Sequence, residues 1–294
     1  MINFQPLVSI CIPTFNGAQF IEEAMESAIN QTYPNLEIVV SDDASKDYTL
    51  KIIESYKDKT DIPIHIFHHK PSGIGANWNH CIKKSKGDYI KFLFQDDILD
   101  KECITEMMLI AKSSLKIGLV YSKRRIIYEQ ENRFVKTWIG NFKSLHLNWS
   151  NPDLTNKMIS GREMLKDSNL MAPPQNKIGE PTAVLLNKKV FEEVGYFNKK
   201  LKQSLDLEYW YRVMTKFDVG FVNKELVVFR LHGNQASQVN SNNSNDERQL
   251  LSLVLLNTIY RYTHDSSKKY ILSKIKIYKK GNKLIRKFKS ILWK

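Results

Sequence analysis

Aspartates stand in adjacent pairs at two places in the sequence, Asp42-Asp43 and Asp96-Asp97, and each pair directly follows an apolar run. A third polar point, residues 13–16, follows the first apolar run in the same way. Adjacent carboxylates beside a buried segment repel each other unless a cation or a hydrogen-bond donor pairs with them. Hard oxygen ligands in small number suit Mg²⁺ or Mn²⁺ shared with a diphosphate. Each pair taken alone is more simply a polar turn that caps a helix, but three such points together favour a ligand site.

The elements that must position these residues are alternating strands and helices. Four apolar runs predict buried strands, at residues 7–12, 36–40, 62–67 and 89–94. Apolar residues at helical spacing between the runs predict three helices, near residues 20–29, 45–56 and 74–84. Successive β–α units indicate an α/β fold with a doubly wound, mostly parallel sheet flanked by helices. Ligands bind such sheets beyond the carboxyl ends of the strands, so the three polar points are expected to converge on one crevice.

Several other classes of site are disfavoured. No Gly-x-Gly-x-x-Gly or Walker loop follows the first strand, so metal and side chains would have to neutralise any bound phosphates. The three widely spaced cysteines form neither a disulfide framework nor a zinc site, and they fit a reducing cytosol. We find no signal-peptide pattern and no run of about 18 apolar residues, so we expect a protein that is cytosolic or lies on a membrane face.

Motifs spread over roughly residues 6–240 resemble, in order, those of the family 2 glycosyltransferases. The matching segments are Leu7–Gly17, Gln31–Glu37, Asp42–Asp47, Gly87–Ile90 with Asp96-Asp97, Gly179–Thr182, Asp206–Arg212 and Arg230–His232. The resemblance implies the GT-A fold and an enzyme that uses a nucleotide-diphosphate sugar with inversion at the anomeric carbon. The donor is then expected to be a UDP-sugar, and the acceptor a glycan or a lipid-linked saccharide.

On the donor side, the resemblance implies a nucleotide pocket in which Asp43, with Asp42 beside it, holds the edge of the base. A carboxylate suits this role because it accepts the imide or amide N–H of a pyrimidine. Asn79 would line the same pocket, or it is a surface helix residue. The full implied set of nucleotide-sugar-binding residues is Pro13, Thr14, Phe15, Asn16, Asp42, Asp43, Asn79, Gln95 and Asp96.

The implied metal site departs from the family pattern. The family commonly has Asp-x-Asp-Asp where this chain has Phe94-Gln95-Asp96-Asp97, so the leading aspartate is replaced. In this register the resemblance makes Asp96 a ligand of Mg²⁺ or Mn²⁺, with Asp97 beside it and Gln95 near the ribose. His232 matches a family position near the diphosphate and the metal, although a lone histidine is more often structural.

The resemblance also implies the catalytic base. Inverting transfer needs a group that takes the proton of the acceptor hydroxyl, and Asp206 occupies the family's base position. The family usually has Glu-Asp there and this chain has Leu205-Asp206; Asp206 is alternatively only a helix cap. The residues expected on the acceptor side are Glu180, Glu208, Trp210 and Arg212.

Most of the net charge belongs to the end of the sequence. The 294 residues carry 44 Lys plus Arg against 31 Asp plus Glu, a net charge of +13. Residues 265–294 alone hold eleven basic residues and one acid, with apolar residues on the opposite helical faces. We predict a GT-A domain over residues 1–246, with a nucleotide-sugar half (1–120) and an acceptor half (121–246). A basic amphipathic helical tail over 247–294 would then follow, typical of helices on anionic lipid.

The leading hypothesis is therefore an inverting glycosyltransferase, cytoplasmic and peripheral on the inner face of the cell membrane. A tail that packs on the domain with solvated lysines is the alternative to membrane contact, and nucleic acid is disfavoured because the first 264 residues carry only +3. The alternative function is a non-catalytic membrane- or polyanion-binding module on a degenerate nucleotide-sugar fold. Residues 121–160 fit neither period well and are expected to form an insertion with some strand content.

Overall fold

The computed structural model describes residues 5–151, 153, 158–233, 235 and 244–275. Within these residues, nine strands form one sheet: β1 (Val8–Thr14), β2 (Leu36–Asp42), β3 (Ile64–His68), β4 (Tyr89–Phe92), β5 (Ile98–Leu99), β6 (Ile117–Tyr128), β7 (Met158–Ile159), β8 (Val184–Asn187) and β9 (Asp218–Leu231). Their order is β3-β2-β1-β4-β8-β6-β9-β5, and β7 pairs with β9.

Ten α-helices cover the sheet in the described part of the chain: α1 (Ile21–Ile29), α2 (Thr49–Glu54), α3 (Ile74–Lys84), α4 (Cys103–Ala111), α5 (Arg133–Phe142), α6 (Gly161–Leu165), α7 (Lys189–Val194), α8 (Leu205–Met214), α9 (Ser244–Thr258) and α10 (Asp265–Ser273). Ile10 and Ile12 of β1 pack into one core with α1 and α4, whereas Cys11 packs into a second core with α3 and α8. Successive strand residues point to opposite faces, so the sheet is covered on both sides.

The predicted β–α units of the first half are confirmed. β1 pairs in parallel with β2 and β4, and β2 pairs in parallel with β3. Thr14 lies opposite Asp42 in this register, which brings the carboxyl ends of β1 and β2 to the same edge. β4 ends at Phe92, two residues before the predicted end of the apolar run.

Residues 121–160, which fit neither a helical nor a strand period in the sequence, contain most of β6, as well as α5 and β7. β8 runs antiparallel to both β4 and β6, and it links the two halves of the sheet, while β6 and β9 are parallel. The β6–β9 register shifts near Ser122 and Lys123. A bulge breaks the two-residue alternation of inward and outward side chains, and this explains why the hydrophobic period is lost there.

The first part of the predicted tail belongs to the domain core. Leu251 and Leu255 of α9 and Ile271 of α10 are buried in the core that α8 also enters. Ser266 donates its hydroxyl to the Ser168 carbonyl at 2.8 Å. For these residues, the alternative that the tail packs on the domain is therefore correct. Residues 276–294 of the predicted tail lie outside the described residues. No helix in the described part of the chain is long and apolar enough to cross a bilayer.

Candidate active site

Asp42 joins the loops that follow β1 and β2. Its carboxylate accepts hydrogen bonds from the Thr14 hydroxyl at 2.9 Å, the Ser45 hydroxyl at 2.6 Å and the Ser45 backbone N–H at 2.9 Å. The Asp42 side chain is fully buried. Asp42 therefore holds the two loops together from a buried position. Of the predicted pair, only Asp43 has a partly exposed carboxylate.

Asp43 lies beside His69, which in turn contacts Asn77, and sequence reasoning selected neither of these two residues. The Nε2 atom of His69 is 3.4 Å from Asp43 Oδ1 and 3.0 Å from Asn77 Oδ1. The other amide atom, Asn77 Nδ2, donates to the Thr14 carbonyl at 3.2 Å. Burial raises the pKa of Asp43, and the His69 charge acts against that rise. Three histidines, at positions 65, 68 and 69, lie in and just after the third predicted strand. This cluster is the sequence signal that could have predicted a histidine beside Asp43.

Phe15 and Gln95 connect the loops after β1 and β4. The Phe15 N–H donates to Gln95 Oε1 at 2.9 Å, and Gln95 Nε2 donates back to the Phe15 carbonyl at 3.1 Å. The Phe15 ring is 53% exposed and so offers a stacking surface. Asn16, with a φ of 48°, accepts from the Lys46 N–H at 2.9 Å. Pro13 and Thr14, the last two residues of β1, are both buried, so the exposed Phe15 and Asn16 rather than the Pro13 ring line the crevice.

Asp96 and His232 meet although they are 136 residues apart. His232 Nε2 lies 2.9 Å from Asp96 Oδ2, and both side chains are partly exposed. Arg230 supports the pair, because its Nε donates to the Asp96 carbonyl at 3.1 Å. A carboxylate and an imidazole are both metal ligands, so the donor set fits a divalent cation whose remaining ligands come from diphosphate and water. In the residues that the structure describes, no group of three or more His, Cys, Asp or Glu side chains could hold a metal.

Asp97 has a different environment from Asp96. It is buried, and its Oδ1 accepts the Arg230 N–H at 3.2 Å. Burial raises the pKa of Asp97 well above its usual range, and the adjacent Asp96 charge acts in the same direction. The predicted metal pair is thus asymmetric, with Asp96 facing the crevice and Asp97 facing the interior.

Asp206 lies in the first turn of α8. Its Oδ1 accepts the Leu207 N–H at 2.7 Å, and its Oδ2 accepts from the Asn176 amide at 2.8 Å. Burial raises the pKa of Asp206 to about 7, and the Glu180 charge adds to the rise. Glu180 itself pairs with Arg124 of β6, with 2.7 Å between Arg124 Nε and Glu180 Oε2. The Glu180 charge also raises the pKa of Asp97, so it acts on both Asp97 and Asp206.

The side-chain amide of Asn79, expected to line the donor pocket, is bonded to Phe197 instead. Its Nδ2 donates to the Phe197 carbonyl at 2.9 Å, and its Oδ1 accepts the Phe197 N–H at 3.0 Å. The side chain is buried, so the surface alternative is wrong as well. Asn79 joins α3 to the segment before α8 through a pair of hydrogen bonds that occupies its amide. Two positions earlier, Asn77 of α3 does reach a strand end, through its bond to the Thr14 carbonyl.

Three predicted acceptor-side residues are engaged within the fold, Glu208 and Trp210 in buried positions and Arg212 in a partly exposed one. Glu208 and Arg212 form a bidentate ion pair, at 2.7 Å and 2.8 Å, and Glu208 is only 2% exposed. Arg212 also donates to the carbonyls of Val194 and Tyr196. Trp210 is fully buried and donates its Nε1–H to the Gly179 carbonyl at 2.9 Å. These contacts hold α8 against its neighbours, and of the acceptor-side set only Glu180 lies with Asp206 at the crevice.

A pocket of about 340 Å³ adjoins His232 between the end of β9 and the loop from β6 to α5. Polar and apolar side chains line it together: Glu129, Gln130, Asn132, Phe134, Val135, Leu231 and His232, with Gly233. Its volume is at the lower end of the range for small-molecule sites, which is about 300–1,000 Å³.

Comparison with known proteins shows the family of this chain. Residues 9–195 match the sequence model of Glycosyl transferase family 2, so the chain belongs to that family. A relative from Rickettsia felis, named as an uncharacterized glycosyltransferase, is 32% identical over 253 residues, which is 85% of this chain and 38% of the relative. This chain therefore spans well under half the length of that relative.

Solved structures of similar fold confirm the GT-A architecture. Staphylococcus aureus TarS residues 1–349 in complex with UDP-GlcNAc has a TM-score of 0.60 and 16% identity, over 92% of this chain and 71% of that chain. The mannosyltransferase PcManGT from Pyrobaculum calidifontis, in complex with GDP-Man and Mn²⁺, has a TM-score of 0.58 and 15% identity. That match covers 88% of this chain and 64% of that chain.

Proposed function

We propose that this protein transfers a sugar from a nucleotide-diphosphate sugar to a hydroxyl of a saccharide acceptor, with inversion at the anomeric carbon. The observation that carries the proposal is the Asp206 carboxylate, fixed by two hydrogen bonds and with a pKa near 7. Membership of the family supports the reaction class. The nucleotide sugars in the TarS and PcManGT complexes support the class of donor.

The donor would bind at the ends of β1, β2 and β4. Phe15 presents an exposed ring on which a base can stack, and Asp43 presents an acceptor for the N–H at the base edge. Uracil has an imide N–H at that edge, so we favour a UDP-sugar. His69 and Asn77 hold the Asp43 side of this pocket.

Asp96 and His232 would hold a Mg²⁺ or Mn²⁺ ion together with the diphosphate. Such an ion, when bound, supplies positive charge against the charge that develops on the departing diphosphate. The Mn²⁺ in the PcManGT complex supports this assignment. Arg230 orients the pair through its bond to the Asp96 carbonyl.

Asp206 would act as the general base. The acceptor oxygen attacks the anomeric carbon, its proton passes to the Asp206 carboxylate, and the bond from the anomeric carbon to the diphosphate oxygen breaks on the opposite face. A base is most effective when its pKa lies near the working pH, and a value near 7 meets this condition. The neighbouring Glu180 carboxylate, held by Arg124, would face the acceptor.

The test compares the wild type with Asp206→Asn, with Asp61→Asn as a matched exchange at an exposed residue. We expect Asp206→Asn to lower sugar transfer or donor hydrolysis by at least about 100-fold, the usual contribution of general-base catalysis. UDP should still raise the unfolding temperature of both variants, because the donor site is intact. Full activity in Asp206→Asn would reject the base. UDP binding without turnover in the wild type would favour the non-catalytic alternative.

We also propose that the protein acts at the inner face of the cell membrane, with a lipid-linked saccharide as acceptor. Residues 276–294 contain eight Lys and Arg and no acid, interleaved with Ile, Leu, Phe and Trp. This composition is typical of interfacial helices on anionic lipid. Deletion of 276–294 should abolish sedimentation with anionic vesicles and leave UDP binding unchanged. Vesicle binding that survives the deletion would reject the attachment.

A further inference from the structure

Asn176 lies in a turn before β8, and both the nitrogen and the oxygen of its side-chain amide are hydrogen-bonded. Its Nδ2 donates to Asp206 Oδ2 at 2.8 Å and to the Gly179 carbonyl at 3.1 Å. Its Oδ1 accepts the backbone N–H groups of Ile178, at 3.1 Å, and Gly179, at 2.9 Å. The two backbone donors fix which end of the amide is oxygen, so an N–H group must face Asp206.

The turn that carries Asn176 is fixed from two sides. Lys177 is fully buried and donates from Nζ to the carbonyls of Ala172 and Pro174, each at 2.9 Å. On the other side, Trp210 donates to the Gly179 carbonyl at 2.9 Å. Gly179 has a φ of +122°, a conformation that side-chain-bearing residues rarely adopt. These contacts leave Asn176 little freedom to turn away from Asp206.

We propose that Asn176 is a positioning residue for the transfer reaction, which orients the Asp206 carboxylate and favours its ionised form. This inference rests on the proposed role of Asp206 as the base. A hydrogen bond from a neutral donor to a carboxylate stabilises the charged form. Burial and the Glu180 charge act in the opposite direction, and the phenol of Tyr211 is the other titratable group that Asp206 influences. The Asn176 and Leu207 N–H groups oppose the destabilisation of the Asp206 charge.

The decisive variant is Asn176→Asp. It keeps an oxygen that accepts from Ile178 and Gly179, but it replaces the donor to Asp206 with a second oxygen. The loss of one hydrogen bond to a charged group corresponds to about a 10- to 100-fold change in an ionisation constant. The second carboxylate beside Asp206 also disfavours its ionisation, so the acid limb of the kcat/KM profile should move up by at least about one pH unit. The KM for donor should not change, because the hydrogen bonds of the Asn176 side chain go to Asp206 and to the 178–179 turn and not to the ends of β1, β2 and β4.

Asn223→Asp, at an exposed position of β9, is the matched control for the added charge and should leave the acid limb in place. If Asp206→Asn is inactive and Asn176→Asp keeps the wild-type acid limb, the positioning role is wrong while the proposed function stands. If Asp206→Asn retains full activity, the proposed base fails first. The two failures are therefore distinguishable.

A measurement on the folded wild type covers the case in which Asn176→Asp does not fold. The side-chain amide resonances of Asn176, followed by NMR from pH 5 to 9, should titrate with the midpoint of the acid limb. The same resonances should be independent of pH in Asp206→Asn. Resonances that do not respond to pH in the wild type would overturn the proposal.

Discussion

Glu208 and Arg212, in the middle of α8, have either a structural or an acceptor-binding role, and removal of their ion pair distinguishes the two. We predict that Glu208→Gln destabilises the protein without a change in acceptor recognition. The exchange places an amide N–H₂ group against the Arg212 guanidinium, which donates to both Glu208 oxygens at 2.7 Å and 2.8 Å. Glu208 is 2% exposed, so water cannot replace the lost acceptor.

The expected loss is about 3 kcal/mol of unfolding free energy, the lower end of the range for one partner removed from a buried pair. The lower end applies because Arg212 keeps the Val194 and Tyr196 carbonyls as acceptors. In a domain of this size such a loss lowers the unfolding temperature by about 6–12 °C. Equilibrium urea unfolding and a thermal scan measure both quantities.

Glu163→Gln provides the matched control for this experiment. Glu163 pairs with Lys166 at 2.8 Å, but both side chains are about 60% exposed. Exposed pairs contribute about 0–1 kcal/mol, so this variant should unfold close to the wild type. Unchanged stability in Glu208→Gln, together with a raised KM for the acceptor, would refute the structural reasoning and restore the role expected from sequence.

Three further predictions concern the donor side of the crevice. Gly17→Ala adds a Cβ only 2.3 Å from Gln95 Oε1, so it should break the two Phe15–Gln95 hydrogen bonds. We expect a loss of about 1–3 kcal/mol in the free energy of unfolding, measured in urea. Gly140→Ala is the control, because the space around its new Cβ is open, and it should not destabilise the protein. Asp43→Ala should weaken UDP binding about 10- to 100-fold in titration calorimetry, with little effect on stability. Asp42→Ala leaves three hydrogen-bond donors unpaired and should instead lower the unfolding temperature. A loss of UDP binding in Asp42→Ala at unchanged stability, or a loss of stability in Asp43→Ala at unchanged binding, would contradict the account. Chelation with EDTA should abolish transfer and Mn²⁺ should restore it, with more Mn²⁺ needed in Asp96→Ala; activity that is unaffected by the chelator would remove the metal from the proposal.

The convergence of the strand ends could be predicted from sequence because parallel β–α units obey strong topological rules. The apolar runs that predict buried strands are enough to place Asp43 and Asp96 at the ends of β2 and β4. The pairing of Asp96 with His232 depended on the family resemblance, since no local pattern links residues 136 positions apart.

The interior positions in α8 show where sequence reasoning ends. Glu208 and Arg212 have the i, i+4 spacing of a helical ion pair, and this signal competes with the acceptor role. Helical periodicity does not say which face a neighbouring loop covers, and here the 194–197 segment covers the face with Glu208. The contacts of Asn176 with Asp206 and of His69 with Asp43 join segments that are distant in the sequence, so only the folded chain shows them.

The pH dependence of sugar transfer tests the central claim most directly, because the claim is that ionised Asp206 accepts the proton of the acceptor hydroxyl. Burial raises the pKa of Asp206 to about 7, so the base is protonated below that value and ionised above it. We predict that kcat/KM falls about tenfold per pH unit below pH 7 and is level above it. The residual activity of Asp206→Asn should lack this limb. A wild-type profile that is level from pH 5 to 8, or an identical acid limb in Asp206→Asn, would contradict the account.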